Sequence, residues 1–190
     1  MITKTRKTKE TDIKVSIKLN GEGVSNIDTG VGFLDHMLES FSKHSLVDID
    51  IKCKGDTHID DHHSVEDIGI VLGGAFGDIL YPAKGIERFG SANIVMDEAC
   101  VSCDLDISNR AYLFYDIDIC GKVGTFDVEL VEEFFRAFVM GARLSTHIVM
   151  LRGKNKHHIV EAAFKSLAVA LRRGLMKNDR VKIPSTKDVL

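Results

Sequence analysis

Two stretches of the sequence share one pattern: Asp60-Asp61-His62-His63-Ser64-Val65-Glu66-Asp67 and, about 95 residues later, His157-His158-Ile159-Val160-Glu161. Each contains His-His-x-x-Glu and leads into an apolar run with helical spacing. In a helix the first histidine and the glutamate are four residues apart, so they lie on one face and can bind one cation. The second histidine points about 100° further round and must face a different cation or surface. Two copies of the pattern predict two metal sites.

The composition is that of a globular protein without a strong charge excess. The 190 residues are 44% hydrophobic and 28% charged, which is ordinary for a soluble domain. A net charge of −3 argues against nucleic acid as a partner, because such binders normally have a basic excess. No apolar run approaches membrane-spanning length, and the first residues lack a signal-peptide pattern. Four cysteines without a disulfide framework suit a reducing compartment, so we expect a cytoplasmic protein away from membranes.

Hydrophobic patterns occur in the same order in both halves of the chain. The first half predicts strands at about 12–19, 24–27 and 47–53 and helices at about 31–43 and 62–80. The second half predicts matching strands at about 100–107, 112–119 and 144–151 and matching helices at about 127–141 and 157–173. Each half therefore follows the order strand, strand, helix, strand, helix.

This repeat predicts an α+β fold with an internally duplicated unit. We expect two sheets with helices packed on one face, forming one compact body. The domain would span residues 1–190, with pseudo-repeats at about 6–90 and 91–180 and a C-terminal tail at 181–190. A pseudo-twofold axis between the halves would bring the two His-His motifs near each other.

Further motifs, together with the His-His stretches, resemble the imidazoleglycerol-phosphate dehydratase family. They are Gly32-Phe33-Leu34-Asp35-His36-Met37-Leu38, Met96-Asp97-Glu98-Ala99, residues 153–165 and Pro184-Ser185-Thr186-Lys187. The likeness spans about residues 6 to 190 with the motifs in family order, which is far more specific than one short motif.

The resemblance implies a hydro-lyase of histidine biosynthesis. Such an enzyme converts D-erythro-imidazole-glycerol phosphate into imidazole-acetol phosphate, through an imidazolate bound between two manganese ions and a diazafulvene-like intermediate. The resemblance also implies self-association into a shell of twenty-four subunits, with active sites between neighbouring subunits.

The resemblance assigns eight metal ligands, which would bind two Mn²⁺ per active site: His36, His62, His63, Glu66, Glu133, His157, His158 and Glu161. Glu133 stands where relatives often carry a histidine, and glutamate still offers manganese an oxygen. Helix geometry would place four ligands at one ion: His62, Glu66, His158 and Glu133. The other four would hold the second ion: His157, Glu161, His63 and His36.

Catalytic and substrate-binding positions also follow from the resemblance. Glu10 would be the acid/base group, and Glu66 and Glu161 would be catalytic through the ions that they hold. The substrate-binding positions would be Glu10, Ser40, His44, Arg88, Arg110, Lys165, Ser185 and Lys187. Of these, Arg88, Arg110, Ser185 and Lys187 match phosphate-binding positions of the family. Arginine suits that role because its planar fork pairs two phosphate oxygens at once.

The residues alone leave two other functions open. A two-metal phosphate-ester hydrolase would use an activated water, although it normally has bridging aspartates. A shell-forming metal-storage protein would explain the ligands but not the phosphate-binding positions. Imidazole-rich ligation by itself also leaves manganese, iron, cobalt and zinc open. Three departures from the family bear on phosphate affinity, because relatives tend to have Gly, Pro and Gly at the positions of Asn109, Ala111 and Asp188.

Overall fold

The computed structural model describes residues 1–187, so Asp188 and the rest of the predicted tail lie outside the described residues. The first half contains β1 (Ile2–Lys7), β2 (Thr11–Lys18), β3 (Ser25–Asp28), α1 (Gly32–Ser45), β4 (Asp48–Gly55) and α2 (His62–Leu80). The second half contains β5 (Phe89–Met96), β6 (Ala99–Asp106), β7 (Tyr112–Asp116), β8 (Lys122–Val123), β9 (Phe126–Asp127), α3 (Leu130–Ala142), β10 (Ser145–Arg152) and α4 (Lys156–Gly174).

The strands form two four-stranded sheets that share one topology. Their orders are β1-β2-β4-β3 and β5-β6-β10-β7. In each sheet the first three strands pair antiparallel, and the last strand pairs parallel with its neighbour. This correspondence confirms the α+β class and the internal duplication. The single domain over 1–190 and its repeat boundaries stay predictions.

Helices cover one face of each sheet and join the two halves. α2 packs on β1 and β2, and α4 packs on β5 and β6. The halves meet where α2 packs against α3 and where α1 packs against α4. The core is continuous across this junction, since Phe76 of α2 contacts Phe138 of α3 with ring centroids 5.3 Å apart. The predicted compact body is therefore confirmed.

Two strands are present that the hydrophobic pattern does not predict. β1 and β5 lie at the edges of their sheets, so in each half three strands of the four-stranded sheet come before the first helix. β1 reads ITKTRK and β5 begins FGSAN, with polar or small residues at most positions. Edge strands carry such residues because one side faces water, and they gain their hydrogen bonds from the neighbouring strand. The second half also adds a short hairpin, β8–β9.

The fold places the His-His motifs in the first turns of α2 and α4. Asp60 accepts a hydrogen bond from the backbone N–H of His62 (2.9 Å), and Asn155 caps α4 by accepting from the N–H of His157 (3.0 Å). Because α2 packs on α3 and α4 on α1, each motif lies beside the first helix of the other half. Among residues 1–187, no hydrogen bond, ion pair or ligand cluster joins the two motifs. The expected closeness of the two motifs therefore stays a prediction.

The helices of the described part of the chain are all too short or too polar to cross a membrane.

Candidate active site

Three of the predicted metal ligands converge where α1 meets α4. His157 and Glu161 are one turn apart on α4, with His157 Nε2 3.2 Å from Glu161 Oε2. His36 on α1 places its Nε2 3.5 Å from the same oxygen. Within residues 1–187 these are the three side chains whose ligand atoms all lie within 4.8 Å of one another. We call them the α4 cluster; two imidazole nitrogens and a carboxylate oxygen fit a divalent transition metal.

Glu161 is held as a carboxylate. It is buried, with 7% of its surface exposed, and burial alone would raise its pKa. Lys165, one turn further along α4, places its Nζ 2.6 Å from Glu161 Oε1. This ammonium, together with His36 and His157, outweighs burial and lowers the pKa of Glu161. The α4 cluster therefore offers a ready anionic ligand.

A second set of predicted ligands lies where α2 meets α3. His62 and Glu66 are one turn apart on α2, with Nε2 and Oε2 separated by 3.9 Å. Glu66 and Glu133 line one cavity of about 340 Å³, which we call the glutamate cavity. Its other lining residues are Ile70, Arg136, Ala137, Met140 and Gly141. Glu133 lies on the first helix of the second half, as His36 does in the first half, so the glutamate cavity is the pseudo-symmetric counterpart of the α4 cluster.

The second histidine of each motif faces away from both sets. His63 places its Nδ1 3.0 Å from Asp56 Oδ2 and its Nε2 3.8 Å from Glu10 Oε1. His158 places its Nδ1 2.8 Å from Glu98 Oε2. The structure therefore separates His63 and His158 from the other predicted ligands of the same chain.

The four predicted phosphate-binding residues line a single cavity. Its volume is about 340 Å³, and we call it the arginine cavity. The lining residues are Arg88, Ser108, Asn109, Arg110, Ser185, Thr186 and Lys187. Two arginines, a lysine and three hydroxyls around one space form an anion-binding environment.

Asp106 holds the Arg88 side chain in that cavity. Arg88 donates from Nε (2.6 Å) and from Nη2 (3.0 Å) to the two oxygens of Asp106, and from Nη1 to the carbonyl of Pro184 (2.6 Å). This planar pairing orients the guanidinium and ties the segment that carries Ser185 and Lys187 to the second sheet.

Comparisons with known proteins agree with this arrangement. The family model for imidazoleglycerol-phosphate dehydratase matches residues 29–171. The chain belongs to the imidazoleglycerol-phosphate dehydratase family. It is 75% identical over 190 residues to the imidazoleglycerol-phosphate dehydratase of Sulfurimonas denitrificans, with the whole of both chains covered. A relative of the same name from Sulfurovum sp. is 61% identical, again over the whole of both chains.

Solved structures of imidazoleglycerol-phosphate dehydratases superpose closely on this chain. The imidazoleglycerol-phosphate dehydratase of Staphylococcus aureus superposes with a TM-score of 0.83 at 42% identity, over 94% of this chain and 100% of that one. The Pyrococcus furiosus enzyme also gives 0.83 at 42% identity, over 98% and 99% of the two chains. Membership of this dehydratase family makes the chain a hydro-lyase of histidine biosynthesis.

Three other predicted substrate contacts, Ser40, His44 and Lys165, lie on α1 and α4, the two helices that carry the α4 cluster. Burial lowers the pKa of His44, and the charges of Lys165 and Arg172 lower it further, which favours the neutral imidazole. The Ser40 hydroxyl oxygen is buried and has no hydrogen-bond partner among the described residues. His44 and Lys165 are thus close enough for the charge of Lys165 to act on His44, and Ser40 lies one turn before His44 on α1.

One of the three departures from the family pattern, Asn109, has a structural explanation. Asn109 adopts φ +57°, a left-handed conformation that asparagine tolerates best after glycine, and its N–H donates to Tyr81 Oη (2.9 Å). The turn that presents Arg110 therefore keeps the backbone shape that a glycine allows. No contact explains Ala111.

Sequence reasoning missed three carboxylates: Asp56, Glu98 and Asp106. Each pairs with a predicted site residue that is between 7 and 60 positions away. Glu98 lies within a motif that carries the family resemblance, and that was the one available signal. Because the two members of each pair come from different segments of the chain, local periodicity could not have identified the pairs.

Proposed function

We propose that this chain removes water from D-erythro-imidazole-glycerol phosphate to give imidazole-acetol phosphate. One observation carries the proposal: the chain combines histidine–carboxylate ligand sets with a separate arginine cavity. The ligand sets suit the imidazole end of the substrate, held on divalent cations, and the arginine cavity suits the phosphate end.

We further propose two Mn²⁺ per active site. The α4 cluster would hold one ion, and His62, Glu66 and Glu133 would contribute to the other. When bound, the ions would act as Lewis acids that stabilise the negative charge gained by the imidazole ring. His63 and His158 would complete the two sets.

Glu10 is the proposed acid/base group. Its carboxylate is half-exposed and lies 3.8 Å from His63 Nε2, so it stands next to a ligand-bearing helix. It would accept the proton as the C2–H bond of the glycerol arm breaks. The C3–O bond breaks, and the departing hydroxide takes up the proton that Glu10 accepted and leaves as water. The enol product then rearranges to the ketone. Arg88 and its neighbours would hold the phosphate so that C2 stays within reach of Glu10.

The active sites would be completed between subunits of a twenty-four-subunit shell. Three ligands of one chain converge in the α4 cluster, which is too few to fill the coordination shell of Mn²⁺. His63 and His158 point away from the ligand sets of their own chain. A neighbouring copy can bring these histidines to the open side of each set.

The direct test is turnover of imidazole-glycerol phosphate by metal-stripped protein before and after the addition of Mn²⁺. We expect product only after Mn²⁺ is added, with Zn²⁺ and Co²⁺ tested in parallel for metal preference. An absence of product although Mn²⁺ is shown to be bound would reject the proposed reaction. Phosphate release in place of the ketone would indicate a hydrolase.

A further inference from the structure

The two halves of the fold place a glutamate at the same position, directly before the second strand of each sheet. Glu10 precedes β2, and Glu98 precedes β6. Each of these glutamates approaches the second histidine of the His-His motif in its own half, His63 and His158 respectively. The duplication has therefore produced two equivalent glutamate–histidine pairs.

The two pairs nevertheless have different geometries. In the first half Asp56 occupies Nδ1 of His63, and Glu10 lies on the Nε2 side at 3.8 Å. In the second half Glu98 itself occupies Nδ1 of His158, at 2.8 Å. Asp56 and Glu98 therefore contact the same ring atom, Nδ1, of the two histidines. Glu10 does not contact Nδ1 of His63 but lies on the Nε2 side.

Two contacts indicate the same tautomer of His158. The carboxylate of Glu98 can only accept, so Nδ1 of His158 carries the proton. On the other side of the ring, the amide nitrogen Nδ2 of Asn155 lies 3.4 Å from Nε2. The orientation of the Asn155 amide is set because its oxygen accepts from the N–H of His157. A side-chain amide nitrogen only donates, so this contact favours a lone pair on Nε2. The exposed carboxylate of Asp97 also lies on this side, but at 3.9 Å from Nε2 it is too far away to accept a hydrogen bond.

Glu98 is itself held rigidly in place. Its Oε1 accepts from the backbone N–H groups of Lys154 (3.1 Å) and Asn155 (2.7 Å), in the loop that leads into α4. The hydrogen bonds from His158 and these two backbone groups lower the pKa of Glu98 to about 2. One carboxylate therefore fixes both the loop before α4 and the ring orientation of His158.

We propose that Glu98 is a positioning residue that holds His158 in the Nδ1–H tautomer and so keeps Nε2 free to bind the metal ion. Asp56 has the same role for His63. This inference rests on the proposed function, because it assumes that His158 is a metal ligand. Carboxylates that orient metal-binding histidines typically contribute a factor of about 10–100 to metal affinity.

Glu98→Gln provides a sharp test, because glutamine has one acceptor oxygen where glutamate has two. That oxygen is needed by the two backbone N–H groups, so the amide NH₂ must face Nδ1 of His158. We expect the substitution to invert the tautomer and place the proton on Nε2. Glu98→Ala removes the constraint on the tautomer, so we expect a mixture of both.

Two measurements on the full chain test the expected changes in the His158 tautomer and in metal affinity. Imidazole ¹⁵N chemical shifts of metal-free protein at about pH 9, where histidine is neutral, report the tautomer directly. Calorimetric titration with Mn²⁺ reports affinity, and we expect Glu98→Gln to weaken it by about 10–100-fold. The control is Glu39→Gln, which changes an exposed carboxylate on α1 and should alter neither result. Thermal unfolding checks that each variant is folded.

The outcomes separate this inference from the proposed function. A folded Glu98→Gln variant that keeps the wild-type tautomer and Mn²⁺ affinity would show that Glu98 only braces the loop, and would overturn its positioning role. Unchanged Mn²⁺ affinity in His158→Ala would overturn the proposed ligand set, and with it the reason for positioning His158.

Discussion

Glu10 sits in a turn whose shape is set by hydroxyl groups. Thr8 Oγ1 accepts from the N–H groups of Glu10 (3.0 Å) and Thr11 (2.9 Å). Thr11 Oγ1 donates to the buried carboxylate of Asp67 (2.6 Å), which also accepts from Arg6 Nε (2.9 Å). Asp67 belongs to α2, the helix that carries the first His-His motif. The turn is therefore anchored to the metal-binding helix, although the Glu10 side chain itself stays half-exposed.

At this scale we predict that Glu10→Gln abolishes most turnover without disturbing the fold. The amide keeps the shape of the side chain but cannot accept a proton, and loss of an acid/base group typically costs about 10²–10⁴-fold in rate. Steady-state kinetics at saturating Mn²⁺ measures the effect, with metal content and thermal unfolding measured alongside.

The control for this substitution is again Glu39→Gln. Wild-type kcat in Glu10→Gln would remove Glu10 from the mechanism. A loss of bound Mn²⁺ in that variant would instead assign Glu10 a role in holding the metal site together.

The packing of α2 against α3 depends on glycines spaced one turn apart along α2. A Cβ atom at Gly73 would lie 2.3 Å from the backbone oxygen of Phe138, and one at Gly77 would lie 2.5 Å from the backbone oxygen of Gly141. The backbones of α2 and α3 therefore approach more closely than any residue with a side chain larger than that of glycine would allow. This close approach brings Glu66 and Glu133 to a common cavity.

At the scale of the element we predict that Gly73→Ala destabilises the protein. Alanine is the better helix former by about 1 kcal/mol, but here its methyl group would force α2 and α3 apart. Overpacking of this kind lowers the free energy of unfolding by about 1–3 kcal/mol. Denaturant unfolding measures the change.

Gly74→Ala is the matched control, because a Cβ atom there meets the flexible end of the Lys4 side chain rather than backbone. We expect that variant to be as stable as the wild type or slightly more stable. Equal stability of the Gly73 and Gly74 variants would show that the close helix contact is not limiting.

On the scale of the whole molecule, each chain carries its proposed ligands in separate places. The α4 cluster lies at the α1–α4 interface, the glutamate cavity lies at the α2–α3 interface, and His63 and His158 stand apart from both. If neighbouring copies complete these sites, the metal ions link subunits as well as binding substrate.

We therefore predict that chelation of the metal divides the assembly into smaller oligomers. Removal of the ions leaves histidines and carboxylates at the subunit boundary without their shared partner, and the carboxylates repel one another. Sedimentation velocity before chelation, after chelation and after the return of Mn²⁺ follows the size of the particle. A particle of unchanged size after verified metal loss would contradict this prediction.

Local spacing was sufficient to predict much of the fold. The positions of α1, α2, α3 and α4 follow from helical periodicity, and the shared order of elements follows from the repeated pattern. The pairing of His62 with Glu66 and of His157 with Glu161 follows as well, since residues four apart share a helix face. The edge strands β1 and β5 could not be predicted in this way, because their identity depends on the strand beside them.

The sequence by itself determined the duplicated architecture, the helix-borne His/Glu pairs and, through its motifs, the family to which the chain belongs. Only the tertiary structure decided how closely His36 approaches the second motif, and that Asp56, Glu98 and Asp106 hold the functional side chains. The physical reason is the range of the interactions. Periodicity encodes contacts within one element, whereas these partners belong to different segments of the chain and meet only in the packed fold.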